Sequence, residues 1–321
     1  MKILVTGCAG FIGYHLCKKL SSNSKYSIYG IDNLNTYYDI NLKKDRLKNL
    51  KNKKNFHFKK IDIKNNTKLN ELFKKNKFDC VINLAAQAGV RFSIQNPKTY
   101  FNNNVSGFFN IIENVKKYKV NHLITASTSS VYGNNKNFPL IEEYNTDKPL
   151  SFYAATKKTN EVMSYSYSNI YNIPITVLRF FTVYGNYGRP DMSLFKFTKN
   201  IKDSKKINLF NFGKHERDFT HVDDVVSSII KIIKLPSKNK VPYQVFNVAS
   251  GRPKKLTYFV NLIEKNLNKK ASLNMLELQQ GDVVKTHAST KKLDNKTKNF
   301  KRKSFEVGIQ SFIKWYKNYY N

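Results

Sequence analysis

Acidic side chains are in short supply in this 321-residue chain: 22 Asp and Glu stand against 56 Lys and Arg, a formal charge of +34. An imbalance of that size ordinarily suggests nucleic acid or an anionic membrane as partner. Arg is itself scarce here, however, and Lys is spread through nearly every segment, as a biased codon supply would spread it. No basic stripe is interleaved with aromatic residues. Neither nucleic acid nor membrane is therefore expected, although phosphate-bearing small molecules would be drawn to the field. The three cysteines, Cys8, Cys17 and Cys80, cannot all pair and have no metal-ligand spacing, so reduced thiols and no metal site are expected. No stretch approaches the ~18 apolar residues that mark a membrane-spanning helix, and no basic region precedes an apolar core at the N-terminus. A soluble cytoplasmic protein is the expectation. A hydrophobic content of 40% is enough for a core, and the length suits two domains or one large α/β unit.

What is present begins at the N-terminus. Lys2 to Thr6 is a short apolar strand, G-C-A-G-F-I-G follows with Gly7, Gly10 and Gly13, an amphipathic helix runs to about Leu20, and Ser27 to Ile31 forms a second strand ending in Asp32. In that order the glycines permit a tight turn, a close backbone approach to a pyrophosphate, and packing of helix on strand. The backbone of Phe11 and Ile12 opens the helix toward the anion. A carboxylate at Asp32 accepts ribose hydroxyls and repels a 2′-phosphate, so the cofactor expected is NAD rather than NADP.

The second signal is the stretch Thr125 to Lys157. An apolar strand from His122 to Ala126 runs into T-S-S-V-Y-G, and after a polar loop L-S-F-Y-A-A-T-K opens a helix for which Ser151 is a good N-cap. Tyr153 and Lys157 lie one turn apart on one face. An ammonium beside a phenol favours the phenolate, so a group that ordinarily titrates near about 10 becomes a base near neutrality. Spacing alone decides nothing, because roughly three Tyr-x-x-x-Lys matches are expected by chance in this composition. Tyr14/Lys18, Tyr132/Lys136 and Tyr144/Lys148 also match, and only Tyr153/Lys157 follows a hydroxyl-bearing strand end and opens a capped helix. Thr128 is placed to hydrogen-bond the same substrate oxygen.

Between these signals strands and helices alternate: strands at Phe56 to Ile61 and Cys80 to Leu84, helices near Thr67 to Lys75 and Lys98 to Tyr118, then a helix from Tyr153 to about Tyr171 and a strand from Ile175 to Phe181. The pattern predicts an α/β fold, a Rossmann-type doubly wound parallel sheet with a smaller C-terminal α/β lobe. Residues 1–183 are expected to form the dinucleotide-binding domain, with a returning strand at 241–250, and residues 184–321 the second lobe. Asp62 and Ile63 follow the third strand, where an adenine would lie. The fourth strand runs into Leu84, Ala85 and Ala86, small enough for backbone to follow a cofactor. After Tyr184 come a turn-rich break, a helix from about Ser193 to Asp203, short strands near Ile207 to Phe212, a polar run R-D-F-T-H-V-D-D, and an amphipathic C-terminal helix.

Taken together, L-V-T-G-C-A-G-F-I-G, L-A-A-Q-A-G-V-R-F-S, S-S-V-Y-G, S-F-Y-A-A-T-K-K-T-N-E, L-R-F-F-T-V-Y-G-N-Y-G-R-P-D-M and R-D-F-T-H-V-D-D resemble the extended short-chain dehydrogenase/reductase superfamily. Within it the chain resembles the nucleotide-sugar epimerases, and among those the branch acting on UDP-hexuronates, over nearly its whole length. The resemblance implies a homodimer, NAD held through the cycle near Asn33 among other contacts, and a UDP-sugar substrate. It casts Tyr153 as acid/base, Lys157 as the group that orients the cofactor ribose, and Thr128 as an aid to proton transfer that Ser129 or Ser130 shares. It places Arg217 on a UDP phosphate and Asp282 on the uridine ribose, with Arg189 and Thr182 also lining the substrate. Arg91 is expected to meet a C6 carboxylate, together with Thr182 and Ser130.

Related dehydratases carry an Asp-Glu pair directly after the Thr that matches Thr128, and decarboxylating relatives a Glu just before the Val-Tyr. Those positions are Ser129 and Ser130 here, so simple 4-epimerisation of UDP-glucuronate to UDP-galacturonate is the expected reaction. The alternatives are a 4-epimerase of UDP-glucose or UDP-N-acetylglucosamine, or a non-catalytic NAD-sensing protein of the same fold. The family often has His at Asn83, Ala or Gly at Cys8, and Pro at Gln280, and this chain departs from it at all three.

Overall fold

Alternation within the first strand decides how the sheet is buried. In β1 (Lys2–Thr6), Ile3 and Val5 join one apolar cluster with Leu16 and Ile229, while Leu4 joins another with Phe73, Ile111 and Ile112. A sheet covered on both faces needs helices on both, which crossover connections between parallel strands supply. In the structure, a computed structural model describing residues 1–279, 281–298 and 301–320, that is the arrangement. Gln280, one of the departures from the family pattern, lies outside the described residues.

The strands β2 (Ser27–Asp32), β3 (Phe56–Lys60), β4 (Cys80–Asn83), β5 (His122–Thr128), β6 (Ile175–Phe180) and β7 (Tyr243–Val248) complete a seven-stranded sheet in the order β7-β6-β5-β4-β1-β2-β3. Every pairing is parallel. The chain leaves β1 in one direction, reaches β3, and crosses back to β4 on the other side, so the strand order reverses between β1 and β4. Ligands of open α/β sheets bind at such a reversal, beyond the carboxyl ends of the strands. The strand expected at 241–250 is β7, paired with β6 from Tyr243 to Val248.

The helices are α1 (Phe11–Leu20), α2 (Ile40–Lys51), α3 (Asn66–Asn76), α4 (Gly107–Lys117), α5 (Phe152–Tyr171), α6 (Ser193–Lys202), α7 (Val222–Ile233), α8 (Leu256–Leu267) and α9 (Phe305–Tyr320), with shorter turns between. The long helix expected at 98–118 is Pro97–Tyr100, a wider π turn over Phe101–Ser106, and then α4. The π turn presents Asn104 inward, where its amide bonds Gln87 N, Gln87 O and Thr156 Oγ1. α2 and α7 had no place in the sequence expectations. In α2 the buried positions Leu42, Leu47 and Leu50 are interrupted by buried Lys43 and fully buried Arg46, which break the apolar period. α7 starts inside the polar run R-D-F-T-H-V-D-D and buries Val222, Val225, Val226, Ile229, Ile232 and Ile233 against α1. Burial of side chains this size stabilises by about 1.5–3 kcal/mol each. A separate cluster joins α6, α8 and α9 to strand Ile207–Phe210 through Phe195, Leu209, Phe259, Ile263 and Phe312. Among the described residues no helix is long and apolar enough to cross a membrane.

Burial holds the His15 and His122 imidazoles down to about 4. His122 Nε2 lies 2.9 Å from Thr176 Oγ1. The unfolded chain binds a proton at each from about pH 6.5, the folded chain only near 4, so their stability contribution is full above about 6.5 and is lost as pH falls toward 4. Asp224, raised by burial to about 6, works in the opposite sense, so the effect is best read by difference. The stability gap between the native chain and His122→Gln should narrow on going from about pH 7 to about pH 5; a gap constant in denaturant midpoint would contradict this.

Candidate functional site

A cavity of about 890 Å³ opens beyond the carboxyl ends of β1, β4 and β5 and extends to the segment 206–217 and to Asp282. Every site residue singled out from the sequence lines it except Asp62. Asp62 stands behind the wall, where its carboxylate accepts from Asn33 Nδ2 at 3.0 Å and from Lys64 N at 2.8 Å. It fixes Asn33, which does line the cavity.

At one end lies the glycine-rich turn. Gly7 has φ +70°, and a Cβ there would come within 2.9 Å of Ala85 N across the strand reversal. A Cβ on Gly13 would sit 2.1 Å from Gly7 O, so only glycine lets α1 pack this closely. Gly10, the residue ahead of α1, offers no side-chain cap, and the helix has no acidic residue in its first turn. Its free N–H groups and the positive end of its dipole therefore face the cavity, a setting that suits a pyrophosphate. Asp32 is anchored by Ala9 N to Oδ2 at 3.1 Å and Leu34 N to Oδ1 at 2.8 Å. Asn83 accepts from Thr6 Oγ1 at 2.7 Å, and Thr6 Oγ1 in turn accepts from Leu84 N and Ala85 N, which fixes the small-residue loop over the reversal. The residues present fit a dinucleotide.

The Tyr153 segment adjoins it. β5 pairs with β4 only as far as Thr125 but with β6 as far as Thr128, so its hydroxyl-bearing end projects past β4 into the cavity. Thr128 Oγ1 caps the turn Ser129–Tyr132 by accepting from Ser130 N at 3.2 Å. Ser151 Oγ accepts from Ala154 N at 3.2 Å, the expected N-cap of α5. Tyr153 packs edge-on against Tyr100 with centroids 6.0 Å apart. Burial pushes its phenol above the ordinary value, against the Arg189 charge and the Thr128 hydroxyl. Burial also brings the Lys157 ammonium down to about 8, with Glu161 acting the other way. Lys157 Nζ donates to Ala126 O at 2.9 Å, and Arg189 is a second cation whose charge, an influence unforeseen in the sequence, favours the phenolate.

Arg189 is largely buried, held by a two-point contact with Asp191, whose Oδ2 also accepts from Tyr37 Oη at 3.4 Å. Arg91 lines the same cavity. Its half-exposed guanidinium pairs with Asp282 at 3.2 Å and lies 4.5 Å over the Phe210 ring, so part of its charge is met by a carboxylate of the chain. Arg217 is fixed by bonds from Nη1 to Glu216 O and Val284 O, with burial disfavouring its charge and Asp282 supporting it.

Several lining or supporting groups escaped sequence reasoning. Tyr37 and Asp191 act through Arg189. Lys43 lines the cavity with Nζ on Asn35 O at 2.8 Å. Arg46, fully buried, donates to Ala9 O in the glycine-rich turn and to Tyr187 O in the turn that carries Arg189. The i, i+3 spacing of Lys43 and Arg46 is the one signal that marked them, and in so lysine-rich a chain it says little.

A dinucleotide-binding turn and a tyrosine-lysine helix sharing one cavity define an enzyme of the NAD-dependent epimerase class, and residues 3–249 match the NAD dependent epimerase/dehydratase family; the chain belongs to that family. It is 46% identical to protein CapI of Staphylococcus aureus, covering 100% of this chain and 99% of that one. It is 40% identical to UDP-glucuronate 4-epimerase of Thermodesulfobacterium geofontis, over 98% of this chain and 95% of that one. The crystal structure of UDP-glucuronic acid 4-epimerase from Bacillus cereus, in complex with UDP-glucuronic acid and NAD, superposes with a TM-score of 0.94 at 33% identity, covering 100% of both chains.

If Arg189 is a cation that acts on the phenol, Arg189→Met should move the pH–rate profile to higher pH, because the phenolate loses an opposing charge. Arg91→Ala should leave the profile in place. The pH dependence of kcat/KM checks both, and an unmoved profile in Arg189→Met would contradict the assignment.

Proposed function

We propose that the protein interconverts UDP-glucuronate and UDP-galacturonate by 4-epimerisation, with NAD as its resident cofactor. The observation that carries this is the convergence of Tyr153, the Thr128–Ser130 hydroxyls and Arg189 on the cavity that also holds the glycine-rich turn. The similarity to UDP-glucuronate 4-epimerases over nearly the full length supports it.

In this reading Gly7, Gly10, the start of α1 and Asp32 hold the dinucleotide, and Lys157 holds its nicotinamide ribose. NAD held there would supply the hydride acceptor and donor for C4 of the sugar. Tyr153 Oη removes the proton of the 4-hydroxyl and gives it back, with Thr128 sharing the hydrogen bond. Arg217 and Asp282 lie at the far end of the cavity, where they hold the UDP so that the sugar remains free to turn. The C6 carboxylate is assigned to Ser129, Ser130, Thr182 and Arg189 in place of Arg91, since Arg91 is taken up by Asp282. With Ser129 and Ser130 where a carboxyl group would be needed, elimination has no acid or base to drive it.

Residues 1–183 with β7 are taken as the dinucleotide-binding domain, joined by α7, which packs on α1, and the rest of 184–321 as the substrate lobe, supported by the apolar cluster around Phe259. A homodimer is part of the proposal: Phe101, Phe109, Phe152, Val162, Tyr165 and Ile170 are exposed on the 97–117 segment and α5, too much apolar surface for a free helix pair. A monomer in sedimentation at micromolar concentration would remove it. A cytoplasmic location without nucleic-acid partners completes the reading.

Purified protein given UDP-glucuronate, UDP-glucose and UDP-N-acetylglucosamine separately should convert the first far faster than the others. Tyr153→Phe should lower that rate by at least ~10²-fold. Preference for a neutral hexose would favour the UDP-hexose alternative, and an unaffected Tyr153→Phe would remove the acid/base assignment.

A further inference from the structure

Tyr153, Lys157 and Glu161 follow one another at i, i+4 and i+8 on one face of α5. The first two belong to the proposed reaction. Glu161 lies behind them, 4% exposed, and its carboxylate is held from two strands. Ser127 Oγ on β5 donates to Oε1 at 2.5 Å, and Arg179 on β6 donates twice, Nε to Oε1 at 3.0 Å and Nη2 to Oε2 at 2.8 Å. Arg179 is fixed in turn: Nη1 donates to Tyr132 Oη and to Glu142 O, each at 3.0 Å, and the guanidinium lies 4.8 Å from the Tyr132 ring centroid. Tyr132 Oη donates to Asn247 Oδ1 on β7 at 2.6 Å. The pair is thereby tied to three strands and cannot turn away.

A buried ion pair is a weak source of stability, because desolvation offsets much of its attraction. Its position gives it another effect. Lys157 is 2% exposed, and in so dry a place a carboxylate one helical turn away acts on its charge with little screening. We infer that Glu161, clamped by Arg179, is a positioning residue for the reaction, which keeps Lys157 a cation beside Tyr153 through its charge rather than through contact with substrate. This rests on the roles proposed above for Tyr153 and Lys157. Other charged and polar groups packed around the pair have partners of their own. Glu142 turns its carboxylate to Asn247 N at 2.8 Å, and Tyr243 Oη on β7 donates to Glu161 O at 3.4 Å. Arg189 and Tyr100 face the Tyr153 end. Lys158, next along the helix, pairs with Asp147 at 3.1 Å.

The two members of the pair act with opposite sign, which separates a charge effect from a merely structural one. Glu161→Gln leaves the Arg179 cation unopposed, so Lys157 should release its proton more readily and the profile of kcat/KM for UDP-glucuronate should move to lower pH. Arg179→Met leaves the Glu161 anion unopposed and should move it to higher pH, each by at least ~0.5 pH unit. The double variant Glu161→Gln/Arg179→Met, which buries no lone charge and keeps the volume filled, should fold even where a single variant does not, and its profile should return close to the native one. The Lys157 titration itself, followed by NMR and assigned by difference against Lys157→Met, supplies a readout independent of turnover. Shifts of opposite sign in the single variants support the inference. Loss of activity with no shift in either measurement, or shifts of the same sign, overturns it. A native chain that does not epimerise UDP-glucuronate, yet shows the opposite NMR shifts, sinks the proposed reaction and leaves the charge coupling standing.

Discussion

The rest of the site depends on the junction between the projecting end of β5 and the capped start of α5. β5 outruns β4 by three residues and keeps its pairing with β6, so Thr128 and the Ser129–Ser130 turn are carried into the cavity on a strand and not on a free loop. Ser151 fixes where α5 begins, and that sets which face of the helix meets the strand end. One residue of slip in either element would rotate Tyr153 away from Thr128. The cap, the strand overhang and the one-turn spacing of Tyr153 and Lys157 act as one constraint on where a proton can be exchanged.

Around that junction the chain pairs its arginines with few acids, and of three such pairs only Arg179–Glu161 is fully buried. Arg189 answers to Asp191, Arg91 to Asp282 and Arg179 to Glu161. Asp218, fully buried beside Arg217, accepts from Ser250 N and Oγ, Gly251 N and Ala288 N, so its cost of burial is met by hydrogen bonds. Arg46 has carbonyl and hydroxyl partners that link the glycine-rich turn to the turn bearing Arg189. Arg46 thus ties the glycine-rich turn to the segment that carries Arg189. The lysine excess stays mostly at the surface, consistent with its spread through the sequence.

Local features carried most of what was legible in the sequence. The glycine spacing, Asp32 after the second strand and Ser151 before Tyr153 are all contiguous signals, and each was found where the structure has it. α7 was equally periodic, but its polar entrance R-D-F-T-H-V-D-D drew attention to the loop and hid the helix. α2 was hidden for a different reason: its largest fully buried side chain is Arg46, which no apolar pattern reveals. The partners of Arg91 and Arg189 were out of reach because they depend on tertiary placement. Asp282 lies 191 positions from Arg91, and nothing in A-G-V-R-F-S distinguishes an arginine that faces a uronate from one that faces an aspartate. The Arg189 charge on the Tyr153 phenol was hidden for the same reason: helix spacing puts Tyr153 and Lys157 on one face without showing what a distant segment brings to them.

In the proposed reaction one enclosed cavity removes hydrogen from a sugar carbon and returns that same hydrogen. The most direct measurement is the fate of the label when UDP-glucuronate deuterated at C4 is converted in ordinary water. The product should retain its deuterium at C4, with none lost to solvent and none appearing at C5. Washout of the label would mean that the inversion proceeds through exchange with water, and would contradict the chemistry assigned to Tyr153 and the dinucleotide-binding turn.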